Sequence, residues 1–151
     1  MKTLCIVPCG NRKIWNKNPN AGPTKARHVY IGPFARKCME YAEKFYPDSW
    51  RILSAKYGFL SPEDTVHGDY NITFNKQKTN PITIEELAAQ VREMRLSGYG
   101  RIVALGGKKY ITKVSSVFKE REVLAPLSHC KGIGYMMATL NDAIKRGIPL
   151  S

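Results

Sequence analysis

Between Ser54 and Tyr70 the chain gathers side chains suited to chemistry on sugars and bases: Ser54, Lys56, Tyr57 and Gly58, then the carboxylates Asp64 and Asp69, with Tyr70 beside the second. A carboxylate held near a sugar orients water or stabilises an oxocarbenium-like transition state, which is what glycosidic cleavage requires. A lysine in a partly dry pocket becomes an amine nucleophile once its proton is lost. Tyrosine rings offer stacking faces, and Gly58 permits a sharp turn. Asp64, Asp69 and Lys56 are therefore candidate catalytic groups, and Ser54, Tyr57, Gly58 and Tyr70 candidate substrate contacts. The same residues also admit a structural role, with Asp64 capping a turn and Lys56 pairing with it.

Three other segments carry comparable content. In "PCGNRK", Cys9 and Gly10 precede Asn11, Arg12 and Lys13, so a loop open to close backbone approach is followed by an amide and two cations for a phosphate or base. The GxxxxGK[ST] spacing is absent, so this is not a P-loop. In "LGGKKYI", Gly106 and Gly107 fall where a strand meets a helix, and the amides there either receive an anion or serve packing alone. "PLSHCKGIG" supplies Ser128, His129, Lys131, Gly132 and Gly134; His129 is a candidate donor to a departing base, or else a helix cap. The cysteines Cys5, Cys9, Cys38 and Cys130 lack the paired spacing of structural zinc. Cys5 and Cys130 read as small buried hydrophobes, a metal site from Cys9, Cys130 and His129 is disfavoured, and no metal or other cofactor is expected.

Positioning these groups requires strands that end where they begin. "TLCIVP", "SWRILSA", "RIVALGG" and "EVLAPL" are short apolar runs of the kind that form buried strands. Helical periodicity marks "PFARKCMEYAEKF", opened by Pro33, and "TNPITIEELAAQVREMRLSGYG", with the capping box Thr83 and Glu86 and a stop at Gly98. "KKYITKVSSVFK" and "GIGYMMATLNDAIKRG" follow, the last ended by Gly147. "NKNPNAGPTKARHVYIGP" and "GFLSPEDTVHGDYNITF" are punctuated by Gly, Pro, Asn and Asp and read as long loops without regular elements. The alternation predicts one three-layer α/β/α domain over 1–151, with a four-stranded, largely parallel sheet, a basic loop at about 10–33 and a functional loop at about 54–80. Ligands of such sheets bind beyond the carboxyl ends of the strands, where these four loops meet.

Charge points to the partner. The chain has 24 Lys and Arg against 12 Asp and Glu, a net charge of +12. Residues 1–39 hold eight of the bases and no acid. So one-sided a segment favours a polyanion, and nucleic acid is the expected partner. No apolar run approaches the about 20 residues of a bilayer span and no signal peptide is visible, so no membrane partner is expected and the expected compartment is the cytoplasm. The oligomeric state is not legible in the sequence.

"LSAKYGFLSPED" followed by "YN" resembles the YaaA-like family and the small uncharacterised domain family related to it, in which an "LSxxYGxLxPxD" segment follows a strand and a Tyr-Asp pair comes next. "PCGNRK" and the "GIG" near the C-terminus resemble the small-domain family too, so the likeness spans most of the chain. It departs at Asn71, where the family has Asp, leaving Asp64 or Asp69 to supply the carboxylate. YaaA-like proteins bind DNA and protect cells from peroxide damage, so the resemblance implies DNA in preference to RNA without defining a reaction. "PLSHCKGIG" also resembles a uracil-DNA glycosylase segment: Pro126, Leu127 and Ser128 match its Pro-Leu-Ser, and Lys131 and Gly132 the Arg-Gly beyond. The catalytic histidine of that segment and the water-activating aspartate of the glycosylase first loop have no counterpart here. The resulting expectation is a glycosylase-like enzyme that cleaves or exchanges the N-glycosidic bond of a modified base. A non-catalytic DNA-binding stress-protection protein and a nucleotide or sugar-phosphate binder are the alternatives.

Overall fold

The computed structural model describes residues 2–151. Its centre is β1 (Thr3–Pro8), a strand in which every residue after Thr3 is buried. Successive side chains of a strand point to opposite faces. Cys5 and Val7 accordingly enter one core and Leu4 and Ile6 another. The first core is closed by α3 (Pro33–Phe45) and α6 (Ile133–Arg146) through Cys38, Tyr41, Ala42, Leu140 and Ala143. The second is closed by α4 (Ile84–Glu93) and α5 (Lys108–Val117) through Leu87, Val91 and Val114. Helices on both faces of the sheet make the α/β three-layer arrangement that the alternating elements predicted.

The sheet has five strands rather than four. β3 (Trp50–Ser54), β6 (Arg101–Ala104) and β7 (Glu122–Leu124) join β1 in the order β3-β1-β6-β7, and all four are parallel. The fifth, β4 (Gly58–Leu60), turns back antiparallel on β3, pairing Ser54 with Gly58. Its three residues lie in the segment read as pure loop, since three residues are too few to show alternation beside the Pro and Asp that follow. Gln90 of α4 secures the turn: its Nε2 donates to the Tyr57 carbonyl at 2.8 Å and its Oε1 accepts from the Phe59 amide at 2.9 Å.

The long basic loop is likewise more regular than expected. It contains α1 (Ile14–Lys17), β2 (Thr24–Lys25) and α2 (Ala26–Val29), and β2 pairs antiparallel with β5 (Thr65–Val66). The Ala26 and Arg27 amides donate to the Asp64 and Pro62 carbonyls at 2.7 and 3.0 Å, and Glu63 bonds Lys25 at 2.9 Å and Arg27 at 2.6 Å. β2 and α2 are held by these partners rather than by intrinsic propensity, and no periodicity announces elements of two to four residues. Cys130, read as a buried hydrophobe, is half-buried, whereas Cys5 is fully buried. Among the described residues no helix is long and apolar enough to cross a membrane.

The topology fixes where a ligand fits. From β1 the chain passes through α3 to β3 on one side, and from β6 through α5 to β7 on the other. The direction of winding therefore reverses between β1 and β6, and a crevice opens beyond the carboxyl ends of two such strands.

Candidate functional site

A hollow of about 720 Å³ occupies that crevice. Pro8, Gly10, Asn11 and Arg12 line it from the exit of β1, Gly107, Lys108, Lys109 and Tyr110 from the exit of β6, and Phe34, Ile133, Met136 and Met137 from α3 and α6. Its volume suits a small molecule or a base with its sugar. Gly106 makes the approach of the two exits possible: its φ is +118°, and a Cβ there would meet the Pro8 ring at 3.3 Å.

A second hollow of about 500 Å³ adjoins it, lined by Asn11, Lys13, Tyr70 and the segment 71–79 with Asn75, Lys76 and Lys78. Asn11 and Asn75 line both hollows, and Lys109 Nζ donates to Asn75 Oδ1 at 2.9 Å across the seam. Six cations line the pair, Arg12, Lys13, Lys76, Lys78, Lys108 and Lys109, and no carboxylate lines either.

The helices that open here are built unlike α4. α4 carries the full capping box, with the Glu86 amide donating to Thr83 Oγ1 at 3.1 Å and the Thr83 amide to Glu86 Oε1 at 3.2 Å, and has Glu85 and Glu86 in its first turn. α3 and α5 begin at Gly32 and Gly107 with no side-chain cap and no acid in the first turn. α5 even places Lys108 and Lys109 at its positive dipole end, each costing about 0.3–1 kcal/mol unless an anion is near.

Beneath the second hollow lies a buried polar cluster. Ser54, fully buried at the end of β3, accepts the amides of Lys56 at 3.2 Å and Tyr57 at 3.1 Å and shares a 2.8 Å hydrogen bond with Tyr70 Oη. Tyr70 also bonds Tyr30 Oη, and Tyr57 meets its ring edge-on at 5.5 Å between centroids. Lys13 Nζ stands 4.3 Å from the Tyr70 centroid and donates to the Asn11 carbonyl at 3.2 Å. Burial raises the Tyr70 hydroxyl to about 12, and burial lowers the Lys13 ammonium, against the attraction of Asp69. Cys9 is buried and bonded to Tyr110 Oη at 3.1 Å. Burial raises its thiol, so it is a neutral packing group rather than a thiolate.

The candidates read from sequence therefore divide. Gly10, Asn11, Arg12 and Gly107 line the large hollow, and Asn11, Lys13 and Tyr70 the small one. Cys9, Ser54 and Tyr57 support them from below, and Lys56 is exposed with its Nζ 5.6 Å from the Tyr70 centroid. Gly58 and Gly106 serve the backbone, each at positive φ. Asp69 is exposed, accepts the Tyr70 amide at 2.8 Å and acts electrostatically on Lys13. Asp64 is exposed and caps a turn by accepting the Ser61 amide at 2.8 Å, outside both hollows. His129 lines a separate hollow with Cys130, Lys131, Tyr135 and Thr139; Ser128 is exposed in the same loop, Gly132 precedes α6, and Gly134 lies in its first turn. Among the described residues no three His, Cys, Asp or Glu side chains gather as a metal site. Sequence reasoning passed over Lys108, Lys109, Tyr110, Asn75, Lys76, Lys78 and Phe34. The lysine pair after Gly107 was visible in "GGKKY", but a pair of surface lysines carries no signal until the topology sets it beside Arg12.

Uncharacterized protein YfjM of Bacillus subtilis (strain 168) is similar to this chain, 46% identical over 146 residues that cover 96% of this chain and 97% of the relative. No solved structure matches significantly. The model of a family of unknown function, DUF6884, matches residues 4–142, which takes in every strand but the first residue of β1 and both hollows, and the chain belongs to that family.

Proposed function

We propose that this chain acts on nucleic acid, DNA in preference to RNA, by taking one unstacked nucleotide into the large hollow while the basic walls hold the backbone. One observation carries this reading: the joined hollows at the switch point are lined by six cations and no carboxylate, around an apolar interior. Phosphates suit Arg12, Lys108, Lys109 and the uncapped start of α5. The ring of a base suits Phe34, Tyr110 and the two methionines. The resemblance of "LSAKYGFLSPED" to YaaA-like proteins supports the choice of DNA.

The chemistry proposed for the bound nucleotide is cleavage or exchange of its N-glycosidic bond. Asp69 is its carboxylate, because it adjoins Tyr70 and Lys13 while Asp64 is committed to a turn. Incubation with DNA carrying a panel of modified bases, read by mass spectrometry for free base, tests this directly. Release by the wild type that is lost in Asp69→Asn, with DNA binding intact, is the expected result. The absence of a carboxylate from both linings favours a second reading, a DNA-binding protein without turnover. Binding with no free base from any substrate would select it.

A further inference from the structure

We infer that Lys13, rather than Lys56, is the amine nucleophile of this site, forming an imine with the C1′ aldehyde of an abasic deoxyribose from which a base has departed. The inference deepens the proposed function and rests on the hollows being a nucleic-acid site. Lysine is almost never fully buried without a partner. Lys13 is only 5% exposed, yet among the described residues no carboxylate pairs with it. Its ammonium has one carbonyl, that of Asn11, and the face of Tyr70. A charge so poorly replaced loses stability relative to the neutral amine, and the neutral amine is the nucleophile. Lys56 has no such constraint, since its side chain stands in solvent.

Position agrees with reactivity. Lys13 lines the small hollow and bonds to Asn11, which lines both. A base seated in the large hollow sets its sugar at the seam, beside the Lys13 amine. There the Nζ lone pair attacks the aldehyde carbon, the carbonyl oxygen takes up protons and leaves as water, and a C=N bond joins Lys13 to C1′. Amine and aldehyde are consumed, imine and water are formed, and no oxidant or reductant takes part.

Borohydride reduces such an imine to a stable secondary amine, so the test is trapping on an oligonucleotide with a single abasic site, with the adduct mapped by peptide mass spectrometry. The expected result is an adduct on Lys13 whose rate rises with pH to a midpoint below the ordinary lysine range. The adduct disappears in both Lys13→Arg and Lys13→Gln, while circular dichroism shows that both variants remain folded. Wild-type protein that binds this DNA but yields no adduct, or yields one on Lys56 or the N-terminal amine, overturns the inference and leaves the nucleic-acid reading standing. Failure of the wild type to bind abasic DNA overturns both.

Discussion

Ser54 shows how one hydroxyl can order a site without touching a ligand. It accepts two amides from the turn after β3 and anchors Tyr70, which forms a wall of the small hollow. Ser54→Ala leaves those buried groups short of a partner and is expected to cost about 1–3 kcal/mol, measured by urea denaturation. Tyr70 gives the protein an alkaline limit. Burial holds its hydroxyl up at about 12, so the folded state keeps a proton that the unfolded state has released. Stability supplied in this way is present below the unfolded tyrosine range and lost as pH rises from about 10 towards 12. Tyr70→Phe should flatten that part of the stability-against-pH curve. An unchanged slope between pH 10 and 12 would contradict the burial argument.

At the scale of elements, two positions test what holds the site's supports in place. Gly58 opens β4 with φ +75°, and a Cβ there would stand 2.1 Å from Gln90 Oε1, the atom that receives the Phe59 amide. Gly58→Ala is therefore strained twice, by its backbone and by the displaced glutamine, and a loss of about 1–3 kcal/mol is expected in thermal or chemical unfolding. Thr83→Ala removes the cap of α4 and should cost about 1 kcal/mol while leaving ligand binding unchanged, since α4 lies away from both hollows. The four parallel strands and the four long helices were legible because short apolar runs and helical periodicity are local patterns, although β7 is an edge strand without a buried residue and α4 ends at Glu93 rather than at Gly98. β4, β2, β5 and α2 were not, because each depends on distant partners such as Gln90, Glu63 and the carbonyls of Pro62 and Asp64, and α1 was not because four residues show no periodicity. The site was half legible for the same reason. Asn11, Arg12, Lys13 and Tyr70 stand in marked loops, whereas Tyr110 and Phe34 look in the sequence like ordinary members of helix faces.

For the whole molecule, charge and topology converge. The acid-free stretch 1–39 supplies Arg12 and Lys13, and chain reversal at the centre of the sheet brings Lys108 and Lys109 opposite them. Glu63 meanwhile pairs with Lys25 and Arg27 outside the linings of both hollows, whereas the six cations of the hollows share their linings with no carboxylate. The measurement that tests this most directly is a fluorescence-anisotropy titration of DNA across a range of salt concentrations, comparing the wild type with the combined variant Arg12→Ala, Lys108→Ala, Lys109→Ala. The variant is expected to bind more weakly and with a shallower dependence of log affinity on log salt, by about 2 to 3 in slope, as three phosphate contacts are lost. Equal affinity and equal slope in the two proteins would contradict it.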